Sequence, residues 1–484
     1  VKGRIKAPAK DTLPLPAKGK VARYIFTSAQ NSTRLHNQVW LNLNALARHY
    51  DAQIYVSQFR YETSFHGKTA KPGRGHGVGT VPDGEWYDKR IVPHICNKSV
   101  RVAPGLVFSG EVQILPTAKR PISGFESYTG RDSCILPHAK FAMQSVASGK
   151  NEATKFIYTT GTVTQRNYVQ KKAGLQAQFH HGYGGLLVEV DDTGAWWVRQ
   201  LNADSSGTIY DLDLCARNGK VTGGHRLEAV TWGDIHSRRL DPAVKRVAME
   251  ILDTLKPRHQ FLHDLLDFRA RNHHEIRNGH AMFERWCEGG ANWSVSQEVA
   301  EAAGVARDYA RKGTKTVVVN SNHDQALKRW LNEADYRLDP ANALFFLSCQ
   351  EQLYRRIQAG DREFDIFRWA MEGMGAVGVR YLAEDESYII CSDANGGIEC
   401  GNHGHRGPNG MRGNPLSFAR MGRKQNIGHL HTTGLWDGVA VAGTSSLLDM
   451  GYNKGPSSWS HSHIFTYRNG KRAIITQWRG KYRA

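Results

Sequence analysis

Five short clusters in the second half of the chain carry side chains that bind metal ions. They are Asp234-Ile235-His236, His263-Asp264, Asn322-His323-Asp324, His403-Gly404-His405 and Gly428-His429-Leu430-His431. Carboxylate, imidazole and amide oxygen together suit Mn²⁺, Fe or Zn²⁺. Ca²⁺ prefers an all-oxygen shell, and Cu(I) prefers thiolate. Two neighbouring ions need one shared carboxylate and about three further ligands each, with the ions roughly 3.5–4 Å apart. The clusters supply one such set. A lone D-x-H or a lone histidine arises by chance in many proteins, so the weight lies in all five occurring together.

The surrounding pattern says how these residues could meet. Apolar stretches at 227–232, 259–262 and 315–319 read as strands ending just before Asp234, Asp264 and Asn322. A further strand at 387–391 precedes the Gly/His-rich run to His405, and another at 438–442 follows His431. Helical periodicity covers 242–255, 292–311 (capped by Ser294 or Ser296), 325–331, 343–358 and 363–371. In open α/β sheets, ligands gather beyond the carboxyl ends of the strands, so residues far apart in sequence can converge on one rim.

The first half has its own rhythm. A strand at 22–27, a helix at 35–50 capped by Ser32 or Thr33, and a strand at 53–57 form a βαβ unit. Strands follow at 155–160, 185–190 and 195–200, the last two joined by an Asp191–Gly194 turn. The glycine-rich stretch 67–84 reads as a loop. Its Gly75–Gly79 run lacks the leading strand and following helix of a phosphate cradle. The expected organisation is α/β throughout: a flexible basic arm at 1–20, an N-terminal α/β domain at 21–223 and a second domain at 224–484. No internal repeat is evident.

Composition narrows the partners. The chain has 64 Lys and Arg against 45 Asp and Glu, a formal charge of +19. Lys2, Arg4, Lys6, Lys10, Lys18, Lys20 and Arg23 cluster at one end. Arg468, Lys471, Arg472, Arg479, Lys481 and Arg483 cluster at the other. Such an excess favours a polyanion, nucleic acid above all. Seven cysteines without a C-x-x-C suggest reduced thiols in a cytoplasmic setting. The apolar runs are too short to cross a bilayer, and residues 1–20 lack the apolar stretch of a signal peptide.

In order and type, the five clusters resemble the signature of the calcineurin-like metallophosphoesterases: D-x-H, G-D, G-N-H-[DE], a lone His, then G-H-x-H. The resemblance covers roughly residues 225–484 and implies a β-sandwich flanked by helices. It implies one metal on Asp234, His236, Asp264 and His431, and a second on Asp264, Asn322, His403 and His429. Mn²⁺ is the first expectation, with Mg²⁺, Fe and Zn²⁺ as alternatives. His323 would stabilise the transition state or protonate the leaving oxygen, and Asp324 would orient it. Arg406 and Arg412 would contact phosphate. His263 and Ser321 stand where the family has Gly. His405 competes with His403, and Asp267 with Asp264. His273 and His274 lie nearby as possible outer groups.

A narrower similarity is to the pre-early DNA-transfer nucleases of some tailed bacteriophages. It is carried by the same set together with Ser28-Ala29-Gln30-Asn31, Ile135-Leu136-Pro137-His138, Thr160-Gly161-Thr162 and Tyr168. It implies a homo-oligomeric nuclease that degrades host DNA in the host cytoplasm. The alternatives are a phosphomonoesterase or small-nucleotide phosphodiesterase, and a non-enzymatic DNA-binding or assembly protein.

Overall fold

The computed structural model describes residues 11–61, 85–273, 278–289, 293–394 and 396–484. The glycine-rich Gly75–Gly79 run, His274 and the first ten residues lie outside the described residues. After a short β1 (Asp11–Thr12), the chain forms β2 (Val21–Gln30), α1 (Asn37–Tyr50) and β3 (Ala52–Phe59), with β2 and β3 parallel. This is the expected βαβ unit. The cap differs from expectation: the His36 side chain, not Ser32 or Thr33, accepts the Val39 N–H. Ser32 cannot serve because it sits in a left-handed turn ahead of the helix.

Five strands follow: β4 (Ser99–Ala103), β5 (Leu106–Ser109), β6 (Ser133–Leu136), β7 (Met143–Val146) and β8 (Lys155–Thr159). Helix α2 (Lys172–His180) leads into the hairpin β9 (Tyr183–Asp191) and β10 (Trp196–Ala203). The Asp191 carboxylate accepts the N–H groups of Thr193 and Ala195, which closes the expected turn. A small sheet of β11 (Ile209–Asp211), β12 (Leu214–Arg217) and β13 (Lys220–Thr222) connects to the second half.

There, β14 (Ala229–Thr231), α3 (Pro242–Leu255), β15 (His259–Leu262), α4 (Gly279–Glu288), α5 (Val295–Tyr309) and β16 (Lys315–Val318) follow in turn. Asp241 caps α3 through the N–H groups of Ala243 and Val244, with Pro242 in the first turn, and Ser294 caps α5. Helices α6 (Ala326–Glu333), α7 (Ala343–Gln358) and α8 (Ile366–Gly373) intervene before β17 (Arg380–Tyr381). The chain ends with β18 (Ile389–Ile390), β19 (Ile398–Glu399), β20 (Lys424–Ile427), β21 (Gly434–Trp436), β22 (Val439–Val441), β23 (Ser462–Thr466) and β24 (Arg472–Thr476).

Three sheets carry the architecture. One has the order β17-β16-β15-β14-β23-β24, its first four strands parallel. A second has the order β10-β9-β2-β3. The third runs β1-β4-β5-β6-β8-β7-β21-β22-β20-β19-β18. Alternation along each short strand sorts side chains between layers. Val230, Leu262 and Val318 point into a core shared with α3, α5 and α8, while Ala229, Phe261 and Val317 meet Ile390, Ile398 and Cys400 from the facing sheet. The result is two sheets face to face with helices outside. No helix among the described residues is long and apolar enough to cross a membrane.

The division expected at 223 falls in the β13–β14 connection. Across it, sheet and core are continuous. β7 pairs with β21, Met143 opposite Leu435. Phe26, Phe108 and Tyr158 of the first half share a core with Ala440, Ala442, Ile464 and Ile474 of the second. A fragment of residues 224–484 would expose the edge of β21 and this apolar face, both of which promote aggregation. Expressed alone it should be insoluble or lack cooperative unfolding. A soluble fragment with a sharp thermal transition by circular dichroism would show that the two halves are independent.

Candidate metal centre

The candidate ligands sit beyond the carboxyl ends of five strands drawn from two facing sheets. Asp234 and His236 follow β14, Asp264 follows β15 and Asn322 follows β16, all parallel in one sheet. His403 follows β19, and His429 and His431 follow β20, parallel in the other. The sheets are tied at this rim. Asp234 N–H donates to the Gly443 carbonyl at 3.3 Å, and Ser445 N–H donates to the Asp234 carbonyl at 2.8 Å. The strand that delivers His403 is β19, not the expected 387–391 stretch, of which only Ile389–Ile390 is strand.

The side chains converge as overlapping groups, two of which share Asp264, while Asp234, His263 and His403 form a third and His236, Asp267 and His323 a fourth. Within each group the ligand atoms lie within 4.8 Å of one another; the first holds Asp234, His236, Asp264 and His431, and the second Asp264, His403 and His429. Asp264 belongs to both. Its Oδ2 lies 3.9 Å from His236 Nε2 and 3.2 Å from His403 Nε2. His431 Nε2 is 3.1 Å from Asp234 Oδ2 and 3.3 Å from His236 Nε2. Asn322 Oδ1 joins the second group at 3.1 Å from His403 Nε2. Asp234 Oδ1 and His431 Nδ1 are buried without a hydrogen-bond partner. A buried cluster of carboxylate and imidazole donors with atoms left unsatisfied fits a metal-binding site.

The backbone here is held in costly conformations. His236, Asp264, His429 and His431 all have positive φ, between +46° and +72°. For a residue with a Cβ this region costs roughly 1–2 kcal/mol, and such strain gathers where side-chain aim matters. Gly428 has a steric reason of its own: a Cβ there would lie 2.3 Å from Asp234 Oδ1.

Behind the donors stand groups that aim them. His236 Nδ1 faces Asp267 Oδ1 at 3.4 Å, so Asp267 backs His236 and is not part of the group that Asp264 shares. The role expected of Asp324 is corrected. Its carboxylate accepts Leu266 N–H at 2.9 Å and the Ser321 hydroxyl at 2.8 Å, while His323 Nδ1 faces the Asp267 carbonyl at 3.1 Å. Ser321, where the resembled family has Gly, thus supplies a donor that holds Asp324. His263, the other departure, places Nδ1 3.1 Å from His403 Nδ1 and so aims that ring. Sequence reasoning noted His263 and Asp267 without giving either an orienting role. The signal was present in His263 replacing the smallest residue.

Electrostatics follow from crowding. Burial alone would raise Asp264, yet His403, His323 and His236 hold its carboxyl well below the usual carboxylate range. Burial alone would lower His236, but Asp267 and Asp264 outweigh it and push it up to about 9. Burial, with help from His403, pushes His263 and His429 down to about 4. Burial and the neighbouring Asp264 raise Asp324 to about 7.

The outer candidates divide. His405 has both ring nitrogens without a partner and lies with its centroid 5.4 Å from that of His403 and 6.1 Å from that of His429. It is close to the second group without belonging to it. Arg406 is exposed, bound to Glu384 and 3.3 Å from Gln325 Oε1, and Arg412 is exposed on the paired strand segment beside it. His273 faces Arg329 at 2.8 Å. A cavity of about 1050 Å³ opens where the halves meet, lined by Tyr158, Trp196, His461 and Trp478. None of the candidate ligands lines it.

A cation entering the first group must displace the proton held on His236. Manganese affinity should therefore rise with pH up to about 9, with proton release on binding below that. Calorimetric titration in two buffers of different ionisation heat measures this directly. Heats that do not depend on the buffer at pH 7 would contradict it.

No protein-family model matches the chain, and no solved structure matches it. Protein A1 of Escherichia phage T5 is 38% identical over 477 residues, which covers 95% of this chain and 82% of that protein. A match of this identity over nearly the whole length makes the relationship plain: the chain belongs to the same family as Protein A1 of phage T5.

Proposed function

We propose that the protein is a two-metal phosphodiesterase that acts on DNA. The observation that carries this reading is Asp264, whose carboxylate belongs at once to two groups of metal-binding atoms. Asp234, His236, Asp264 and His431 would hold one cation, and Asp264, Asn322, His403 and His429 the other. Carboxylate, imidazole and amide donors favour Mn²⁺ and allow Fe, Zn²⁺ or Mg²⁺. When bound, such a pair supplies Lewis acidity and lowers the pKa of water at the shared carboxylate.

The chain's own groups do the rest. Asp264 orients the nucleophile between the two groups of ligands. His323 stacks edge-on against His236, ring centroids 4.6 Å apart, and commits Nδ1 to the Asp267 carbonyl. Nε2 then delivers a proton to the leaving oxygen from the imidazolium form, which burial disfavours and the neighbouring Asp264 and Asp267 favour. Asp324 fixes the turn that carries Asn322 and His323 by bridging Leu266 and Ser321. The formal charge of +19 favours a polyanionic substrate. Kinship with a phage protein fits DNA in the cytoplasm of an infected host.

The test is to incubate the full chain with linear, circular and single-stranded DNA in Mn²⁺, Mg²⁺ or EDTA. Bis-p-nitrophenyl phosphate serves as a small diester control. Metal-dependent loss of DNA should disappear in Asp264→Asn. His323→Ala should lower kcat by about 10²–10⁴-fold while manganese binding persists. Turnover of the small diester with DNA untouched would move the substrate to small nucleotides. A second prediction concerns salt: DNA affinity should fall steeply and linearly on logarithmic axes between 50 and 200 mM salt, by roughly 10³-fold if about six phosphates are contacted. A flat salt profile in fluorescence anisotropy would mean that the basic excess serves some other end.

A further inference from the structure

The two halves have the same strand plan. In the second half β14 pairs in parallel with β15 across α3, and antiparallel with β23 of the β23–β24 hairpin. In the first, β2 pairs in parallel with β3 across α1, and antiparallel with β9 of the β9–β10 hairpin. The other layer repeats as well. The order β18-β19-β20-β22-β21, antiparallel at both ends and parallel between, is matched by β4-β5-β6-β8-β7 with the same directions. The matching strands also follow in the same chain order. The second half adds β16, β17 and the helices around them.

The halves meet through equivalent elements. β7 pairs antiparallel with β21, and Met143 lies opposite Leu435, its own counterpart by register. β10 meets β24, where Gln200 Oε1 accepts Ile474 N–H. Contact between like elements is what a two-fold axis requires. The chain is thus a pseudo-dimer within one polypeptide.

The repeat places residues one by one. Ser445 N–H and the Thr444 hydroxyl both donate to the Asp234 carbonyl; Val163 N–H and the Thr162 hydroxyl both donate to the Ser28 carbonyl. Ser28 therefore stands where Asp234 stands, and Gln30 where His236 stands. Ser237 N–H donates to the Leu265 carbonyl as Asn31 N–H does to that of Phe59, which puts Gln58 at the place of Asp264 and Ser57 at that of His263. Ala442 N–H donates to Ile427, and Thr160 N–H to Leu136, so His138 and Lys140 stand where His429 and His431 stand. Counting on from β5 puts Glu111 at the place of His403, where it accepts the Tyr128 hydroxyl. His138 is occupied, its ring bound by the Leu115 carbonyl and the Lys140 N–H. One aspartate has become serine, the shared one has become Gln58, whose side-chain carbonyl accepts the Asn97 amide, and an imidazole has become an ammonium. This set lacks the shared carboxylate that two cations require.

The replaced group has found other work. Lys140 reaches across to Asp437, in the turn between β21 and β22, and also bonds the Lys119 carbonyl. β21 begins directly after the loop that carries His429 and His431, and Ser145 N–H holds the Thr433 carbonyl in between. We propose that the N-terminal half is a second copy of the catalytic fold whose metal site has been erased, and that it now positions the His429–His431 loop, with Lys140 and Asp437 as the clamp. This rests on the metal-centre reading of the second half.

The experiment is calorimetric manganese titration of the full-length wild type and of Gln30→Ala, Lys140→Met, Lys140→Arg and Asp437→Asn, with thermal melting of each to show that it is folded. The expected result is two manganese ions per wild-type chain and two in every variant. Lys140→Met and Asp437→Asn should bind about tenfold more weakly, as when an outer partner of a ligand is lost, and Lys140→Arg should restore most of the affinity. Four ions per chain, or a lower count in Gln30→Ala, would overturn the erased site. Wild-type affinity in both Lys140→Met and Asp437→Asn would overturn the clamp. A wild type that binds no manganese would instead overturn the metal-centre reading, and the contrast between the halves with it.

Discussion

Everything at the candidate metal-binding rim answers to one constraint: Asp234 and Asp264 are buried side by side. Two carboxylates in a low-dielectric interior repel each other and lose hydration, so positive charge must sit with them. Imidazole can carry such charge: burial alone would lower His236 and His403, yet the aspartates beside them raise both. Divalent cations would do the same work with higher charge and fixed geometry. The left-handed backbone at His236, Asp264, His429 and His431 follows from the same need, since each side chain must turn back over its own strand end to reach a common point.

Delivering such a cluster takes two sheets. One parallel sheet offers a row of carboxyl ends, but a row reaches a site from one side only. Here β14, β15 and β16 supply one wall, and β19 and β20 the other, with the Asp234 backbone stitched to the Gly443–Ser445 turn so that the walls cannot slide. Arg472 adds a strut from below. It is buried and donates to the Gln425 and Gly438 carbonyls and to Asn426 Oδ1, which fixes the strand that leads into His429.

The donor set was legible in the sequence because chemistry restricts residue type. Few side chains bind divalent cations, and Asp-x-His or His-x-His places two of them a short reach apart. Strands β14, β15 and β16 were legible too, through their apolar runs. What was not legible depended on three-dimensional proximity. The strands before His403 and His429 are two and four residues long and partly polar, so they leave no periodicity to read. The Asp267 carbonyl that holds His323 is a backbone group with no signature in sequence. Asp324 looked like a partner for His323 because it is adjacent, yet the turn directs their side chains to different neighbours. The internal repeat escaped because its strongest residues, the metal ligands, are the ones that differ between the halves. Hydrogen bonding preserved the plan while the side chains changed.

Charge shows the same gap between a tally and a surface. The six basic residues counted at the C-terminal end suggest a free arm, but Arg472 is 9% exposed and spends its hydrogen bonds inside the protein. Lys471, too, is burdened by burial, which pushes it down to about 8. Arg468, Arg479, Lys481 and Arg483 are exposed, although Arg479 also meets the Thr193 hydroxyl. Part of the formal excess therefore builds the fold, and only the rest can attract a polyanion. The nuclease reading leans accordingly on the shared carboxylate first and on charge second. A surface field steers DNA and concentrates it, while a carboxylate common to two groups of ligands bears on the bond that would be cut.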